Sequence, residues 1–557
     1  MDKEKKEYEA RLQERLKILL EYAEKGKIKV TKDSKSIIDS LVKVRKLPDG
    51  TFDLNTVDSA VRSMALCIEY ADYRETTKSE ATLQEIQHAY IDLLDRTFGV
   101  HFKQMLEAKA TPSQFAGFLS SRKEIVEQVA TQIDEFLNTI KTFWDCVQDG
   151  VNFHIDDFHD THKAVFGGDL FPSNNESIAS KCGIYIDTII LPDPYLRCFD
   201  LFKYWTPEKQ TYYFFKHGLN VLQYKDLIKA NIKTPIVIIA PDKGALDTQE
   251  KELLQKWGMQ DTVKHGSKIF GRDFASFEDL KEFISFYKTP SDLVVGAVDK
   301  SRILFDLQYG SDANRQIVEG LKMNKEFLGI NNAGFALLNS FSGRFGICNE
   351  ILIKSQRYRA TPIIDAPTSW EYFNWKLEYD ANEYEKINNL KHMHILRGLQ
   401  DVSDNEMTWI GKIPHEALIE LRESQAIYEI RDILGKGVDD IIKLEPRDFQ
   451  SSSNEIIKNI EAAFKQHINN LKVLRDKKWK FALKDIGSWL VTGSLAVAAA
   501  ATGMPSYGIA AIAVDQLTDS PKLKDIPQSI IKLAKESKEI KRSPIGMLFS
   551  YKELGKK

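Results

Sequence analysis

Cysteine is scarce in this sequence: five of 557 residues are cysteine, and no two of them form a CxxC pair. Disulfide frameworks and structural zinc sites both need paired or clustered thiols, so the odd, scattered set argues against each of them. We expect single buried thiols that pack as small apolar side chains. The five are Cys67, Cys146, Cys182, Cys198 and Cys348.

An excess of either charge is also lacking. The 77 Lys and Arg against 80 Asp and Glu leave a net charge of −3, which argues against a chain that coats nucleic acid. Glycine (30) and proline (17) are too few, and apolar residues (43%) too many, for a disordered chain. The first twenty residues alternate charges and contain no apolar signal core, so we expect a cytoplasmic protein, with the inner face of a membrane as a peripheral alternative.

Several catalytic motifs are missing as well. The sequence contains no Walker A motif, GxGxxG, GxSxG or HExxH. Nucleotide binding through a P-loop or a Rossmann fingerprint, serine hydrolysis and zincin chemistry therefore lose their usual sequence support.

The pattern of apolar residues predicts a multidomain α plus α/β protein. Residues 1–165 carry apolar side chains at helical spacing, for example Leu12, Leu16 and Leu19. A loop rich in Gly, Ser and Asn follows at 167–180. We predict four parts: a helical domain over 1–165, a mostly parallel α/β module over 183–330, a helical domain over 331–450, and a helical region over 451–557.

Short β-branched runs mark the predicted strands of the α/β module. They are GIYIDTIILPD, PIVIIAPD and SDLVVGAVD, with a fourth strand predicted over 302–307. Amphipathic stretches predict helices over 207–230, 249–257 and 277–287.

Each of these three runs ends in an aspartate: Asp193, Asp242 and Asp299. Ligands of parallel sheets bind outside the carboxyl ends of the strands, so three carboxylates there could hold a divalent metal such as Mg²⁺ or Mn²⁺. This predicts catalytic residues of a metal-dependent phosphoryl hydrolase or nuclease, to which Asp187 or Asp306 could add a ligand. The alternative is that aspartate after a strand serves only as a turn former or helix cap.

A second cluster of metal-ligand types lies in FHIDDFHDTH. On a helix, Asp156, His159 and Asp160 would share one face, which predicts a site for Zn²⁺, Mn²⁺ or Fe²⁺. The alternative is a solvated, acidic helix end.

The longest uncharged run is residues 486–514, which contains 29 residues without one charge. As a helix, 486–504 would span roughly 28 Å, about one hydrocarbon core, and Pro505 would then turn the chain into a hairpin. Basic residues exceed acidic ones by four on each side, which suits a hairpin with both ends on one membrane face. Because alanine and glycine dominate, a stable span is disfavoured; a hairpin buried in a helical domain remains the alternative.

A stretch rich in arginine and aromatic residues, 343–375, has the chemistry of a single-strand nucleic-acid groove. Nearby acidic residues offset its charge, and aromatic side chains at helical spacing are usually core, so we do not expect nucleic acid as a partner.

Together these features predict an effector or interaction protein whose hairpin, 486–514, engages a membrane surface or a protein partner. A toxin-like role or a role in antiviral defence is compatible with such a hairpin. The alternative function is the metal-dependent hydrolase above. The sequence leaves open whether the protein is an enzyme, and it does not define the oligomeric state.

Overall fold

A computed structural model describes residues 2–28, 35–167, 177–241, 248–379, 390–405, 407–476, 480–481, 484–485, 536, 539–540 and 542–554. The described chain is mostly helical and contains one small parallel sheet, which confirms the predicted α plus α/β architecture.

The helices are α1 Asp2–Glu24, α2 Lys35–Leu41, α3 Ser59–Glu80, α4 Leu83–Glu107, α5 Pro112–Ser120, α6 Lys123–Asp156, α7 Ile178–Cys182, α8 Pro194–Phe202, α9 Pro207–Leu222, α10 Lys225–Lys229, α11 Thr248–Phe270, α12 Phe277–Ser285, α13 Pro290–Gly296, α14 Ala313–Leu328, α15 Ala333–Tyr358, α16 Pro367–Tyr379, α17 Leu390–Asn405, α18 His415–Glu423, α19 Ile427–Gly435, α20 Val438–Leu444, α21 Phe449–Asp476 and α22 Pro544–Leu554. The strands are β1 Lys163–Gly167, β2 Thr188–Pro192, β3 Val237–Ala240, β4 Thr361–Ile364 and the two-residue pair β5 Lys480–Phe481 and β6 Lys484–Asp485.

The chain divides into two compact units, of which the first is Met1–Ala89 with Thr142–His159. Its core forms where the apolar stripe of α1 packs on α3, with Leu12 and Leu16 against Val61. All three side chains are almost completely buried, as a stripe at helical spacing predicts.

The second unit, Tyr90–Lys141 with Asp160–Lys557, contains the parallel sheet in the spatial order β3-β2-β1-β4. In its register, Lys163 lies beside Thr188, Ile189 beside Val237 and Ala164 beside Thr361. β1, β3 and β4 are buried along their whole length, as expected for a parallel sheet covered on both faces. Pro362 lies in β4, where a missing N–H is tolerated because β4 is an edge strand.

Helix α15 approaches β1 very closely. A Cβ atom built on Gly167 would come within 2.6 Å of Cδ1 of Ile351, so only glycine leaves room for this isoleucine. The close contact fixes α15 against the last residue of β1.

Two of the predicted strands are wrong. The first six residues of the run SDLVVGAVD lie in helix α13, because Thr289 and Asp292 make a capping box and Pro290 occupies the first helical turn. Residues 302–307 form no strand either; they join two short 3₁₀ turns, Lys300–Arg302 and Leu307–Tyr309. Local capping chemistry outweighs β-branched propensity at these positions.

The remaining elements of the predicted module are confirmed in type. β2 and β3 lie inside the first two predicted runs, and helices α9 to α12 cover the three predicted helical stretches. The sheet also includes β1 and β4, which lie before and after the predicted range 183–330. Residues 343–375 lie in α15, β4 and α16, and Trp370 and Phe373 are buried core residues there.

In the described parts of the chain, no helix combines enough length with enough hydropathy to cross a membrane. The charge-free segment 486–514 lies outside the described residues.

Candidate functional site

Asp193 directly follows β2 and caps helix α8. Its Oδ1 accepts hydrogen bonds from the backbone N–H groups of Tyr195 and Leu196, each 2.8 Å long. Its Oδ2 accepts a hydrogen bond from the hydroxyl group of Tyr90. Burial and the charge of this carboxylate raise the pKa of the Tyr90 phenol well above its usual value. The carboxylate is completely buried, so the capping role that the sequence offered as an alternative is the one these bonds support.

The other predicted catalytic aspartates are not seen to join Asp193. Asp299 follows helix α13 instead of a strand and caps the turn Lys300–Arg302, with Oδ1 accepting the N–H of Ser301. Asp242 lies outside the described residues.

The two aspartates named as additional ligands are engaged elsewhere. Asp187 precedes β2, at the sheet edge opposite Asp193, and Arg431 donates to it at 2.6 Å. Asp306 caps the turn Leu307–Tyr309.

The second predicted metal cluster is not a helical face. Helix α6 ends at Asp156, so His159 and Asp160 lie beyond it as exposed residues. Arg74 pairs with Asp156 at 3.4 Å and also binds Asp157. Although burial raises the pKa of Asp157, Lys78 and Arg74 together hold it below its usual range. Across the residues that the structure describes, no group of three or more His, Cys, Asp or Glu is arranged to hold a metal ion.

The carboxyl edge of the sheet holds a different charged group, centred on Asp365. β1 pairs with β2 on one side and with β4 on the other, so the order reverses between β1 and β4. Such a switch point is where open α/β sheets form their ligand crevice. Asp365 follows β4 at this point; it accepts from Nζ of Lys181 at 3.3 Å, and Lys181 also pairs with Asp404 at 2.7 Å.

Burial governs the electrostatics of this group. The Lys181 side chain is only 6% exposed. Burial raises the pKa of Asp365; the charge of Lys181 opposes that rise, and the nearby carboxylate of Asp404 adds to it. The lysine therefore holds two carboxylates in place at the end of β4.

Helix α17 supplies the polar face beside this edge. Four of its side chains recur at i, i+3, i+4 and i+7 and so share one side of the helix. They are Arg397, Gln400, Asp401 and Asp404. Gln400 donates to the carbonyl of Ile364 at 3.2 Å, and Arg397 pairs with Asp401 at 2.6 Å.

The sequence carried a signal for Asp365 that was missed. The segment PIIDAP resembles TIILPDP: in both, a short apolar run precedes an aspartate, and a proline follows the aspartate within two residues. The run contains Pro362, which argues against a strand in the interior of a sheet, so the sequence did not predict β4. Because β4 was not predicted, nothing in the sequence placed Lys181 and the polar face of α17 beside the sheet.

Also in the second unit, helices that precede and follow segment 486–514 in the sequence pack against each other. Helix α22 packs on α21 and α19, with Phe549 against Phe464 at a ring-centroid distance of 5.3 Å. The hydroxyl of Tyr551 donates to Glu420 at 2.8 Å. Leu548 is 1% exposed at this contact, so the docking is a core contact and not a loose surface one.

Comparison of the chain with protein-family models, with curated proteins and with solved structures finds no match to any of them.

Proposed function

We propose that this protein is an effector whose charge-free segment, 486–514, engages a membrane surface. The observation that carries the proposal is the docking of α22 on α21. Helix α21 ends at Asp476 and α22 begins at Pro544, and ring contacts of Phe549 with Phe464 and His467 hold these two helices together. A hairpin with both ends on one membrane face needs that arrangement.

The charges beside the segment support a membrane surface as the partner. Residues 472–485 and 515–557 each carry four more basic than acidic side chains. Such flanks are attracted to anionic headgroups by about 1 kcal/mol per basic residue close to the surface. We therefore expect binding to depend on anionic lipid and to weaken as salt rises.

Liposome flotation of the full-length chain tests the proposal. Vesicles of phosphatidylcholine alone and vesicles with anionic lipid are compared, beside a variant that lacks 486–514. In this variant 477–485 and 515–541 still connect α21 to α22, so the folded unit keeps both helices. Flotation of the full-length protein only is the expected result; equal flotation of both proteins would overturn the proposal, as would flotation of neither.

A point variant gives a matched control. Leu495→Asp places one charge near the middle of 486–504, where a carboxylate costs about 2.5 to 3.5 kcal/mol on insertion. Leu495→Ala keeps the position apolar. We expect the aspartate variant to lose flotation and the alanine variant to keep it.

A further inference from the structure

Ser177 and His415 form a hydrogen-bonded pair in the second unit. Oγ of Ser177 lies 3.0 Å from Nε2 of His415, which is within the range expected for a nucleophile and its general base. Ser177 caps helix α7, which also contains Lys181 of the charged group at the carboxyl edge of the sheet. The two residues of the pair are 238 positions apart in the sequence, so only the folded chain reveals them together.

The capping role of Ser177 fixes the position of its hydroxyl group. Oγ accepts a hydrogen bond from the backbone N–H of Ser180 at 3.4 Å, so the cap uses this oxygen as an acceptor. The hydroxyl proton is left to donate, and Nε2 of His415 lies within its reach. The cap therefore holds the serine in place without consuming the proton that a base would remove.

His415 is the first residue of helix α18, and its ring lies against that of Tyr224. The two rings are stacked, with centroids 6.1 Å apart and planes at 15°. The Tyr224 hydroxyl accepts a hydrogen bond from the N–H of Ile178 at 3.2 Å, so this phenol is anchored on the residue that follows Ser177. A base that a third group orients beside the nucleophile is the arrangement that covalent catalysis uses.

The charges around His415 suit a general base. Burial lowers the pKa of its imidazole, and the carboxylates of Glu416 and Asp226 oppose this effect. The ring is therefore predominantly neutral at pH 7, which allows Nε2 to accept a proton. The two carboxylates also favour the imidazolium ion that forms once the proton has moved.

Access distinguishes this pair from a similar pair in the core. Ser452 and His394 are also hydrogen-bonded, at 2.8 Å, but both side chains are completely buried. Ser177 and His415 are each partly exposed, so a small molecule can reach them from solvent.

We propose that Ser177 and His415 transfer the acyl group of a carboxylic ester to water, an activity separate from the membrane binding of segment 486–514. Oγ of Ser177 attacks the carbonyl carbon of the ester, and Nε2 of His415 takes the hydroxyl proton. The bond between the carbonyl carbon and the alcohol oxygen breaks, and Nε2 gives the proton to the departing alcohol. Water then attacks the acyl-serine and gives a proton to Nε2, which returns it to Oγ as the carboxylic acid leaves.

Covalent labelling of the full-length chain with an alkyl fluorophosphonate tests the nucleophile. Oγ of Ser177 forms a bond to phosphorus, fluoride leaves, and His415 accepts the serine proton. We expect mass spectrometry to find one adduct per chain, on the peptide that contains Ser177.

Two other serines are internal controls for this labelling. Ser276 caps α12 through the N–H of Asp279 and has no histidine partner among the described residues, and Ser452 is buried. Neither should be labelled. No adduct on Ser177 would overturn the proposal, and so would equal labelling of Ser177 and Ser276.

Two variants assign the roles of the pair. Ser177→Asn keeps a side-chain oxygen for the cap and removes the nucleophile, so the adduct should disappear while the unfolding temperature stays close to that of the unchanged chain. His415→Gln keeps a polar side chain and removes the base, so the labelling rate should fall by about a hundredfold or more. An unchanged labelling rate in His415→Gln would exclude His415 as the base and overturn the proposal.

Hydrolysis of 4-nitrophenyl acetate tests the complete reaction. We expect the full-length chain to release 4-nitrophenolate continuously, and at least about tenfold faster than the same amount of the Ser177→Asn variant, which measures hydrolysis by the rest of the protein surface. Equal rates in the two proteins would overturn the proposed acyl transfer, even if the fluorophosphonate labels Ser177.

Discussion

Phe464 of α21 and Phe549 of α22 meet edge to face, with ring centroids 5.3 Å apart and planes at 79°. The two residues lie on opposite sides of segment 486–514 in the sequence, so their contact joins the helices that precede and follow it. Lys552 lies 4.9 Å from the Phe464 ring centroid and adds a cation–π contact. Substitutions in α22 can therefore test whether this helix is docked on α21 while the residues of the sheet stay unchanged.

Replacement of Leu548 by alanine should release helix α22. The side chain is 1% exposed, and truncation of a buried leucine costs about 2 to 5 kcal/mol. We expect amide hydrogen exchange of 544–554 to rise sharply, while β1 to β4 keep their protection. Ser550→Ala, at an exposed position of the same helix, is the control. Equal protection of 544–554 in both variants would contradict a docked helix.

The contributions of Lys181 and Asp365 to the free energy of unfolding should be coupled. Lys181→Met leaves Asp365 buried without its cation, and loss of one partner of a buried pair costs about 3 to 5 kcal/mol. The double variant Lys181→Met, Asp365→Asn removes both charges and should recover part of that loss. Urea unfolding of the two single variants and the double variant gives the coupling; purely additive losses would argue against the interaction.

Asp193 should matter for stability and not for metal content. Asp193→Asn weakens the cap of α8 and the acceptor of the buried Tyr90 hydroxyl, with an expected loss of about 1 to 3 kcal/mol. Elemental analysis of the same preparations should show no change in bound metal. A stoichiometric metal that disappears in this variant would restore the metal-dependent hydrolase.

Acid should destabilise the folded chain through His392, whose ring lies beside that of His162. The rings of His162 and His392 lie 4.2 Å apart, and burial, with the charges of His162 and Arg431 adding to it, lowers the pKa of His392 to about 3. The folded state prefers the neutral ring, so this stabilisation is complete above the unfolded pKa of about 6.5 and is lost as pH falls towards 3.

The surroundings of His392 include Tyr185, which hydrogen-bonds its Nδ1 at 2.6 Å, together with Asp187 and Lys391. His392→Gln should reduce the pH dependence of unfolding by up to about 1.4 kcal/mol per pH unit below pH 6.5. Denaturant titrations at pH 7.5, 6 and 5 check this; an unchanged slope in the variant would exclude His392 as the source.

Gly167 and Ile351 should behave as a size-matched pair. Gly167→Ala brings a Cβ within 2.6 Å of Cδ1 of Ile351, and such overpacking costs about 1 to 3 kcal/mol. Ile351→Val removes that methyl group and should recover part of the loss when the two changes are combined. Thermal unfolding of the single and double variants measures the recovery.

The sequence predicted the architecture because apolar spacing is strong in long elements. The stripe of Leu12, Leu16 and Leu19 in α1 and the β-branched runs of β2 and β3 are visible without a structure. It failed where the β-branched signal is weak, interrupted or overridden: Val165 is the one β-branched residue of β1, Pro362 interrupts β4, and the Thr289–Asp292 capping box turns a β-branched run into α13.

The candidate site residues were likewise predicted only where they adjoin an element with a strong sequence signal. Asp193 was found because it ends a strong strand, although its role is a cap. The polar face of α17 was missed because a stripe such as Arg397 and Asp401 is ordinarily the solvent side of a helix. Only the position of β4 shows that this stripe faces a sheet edge.

The sheet order has a consequence during synthesis. In the sheet, β1 lies between β2 and the edge strand β4. In the sequence, β4 lies almost two hundred residues after β1. At about 5 to 20 residues per second, a ribosome needs roughly 10 to 40 s to reach β4 after making β1. Throughout that interval β1 is itself an edge strand, and its unpaired backbone N–H and C=O groups can pair with another chain until β4 covers them.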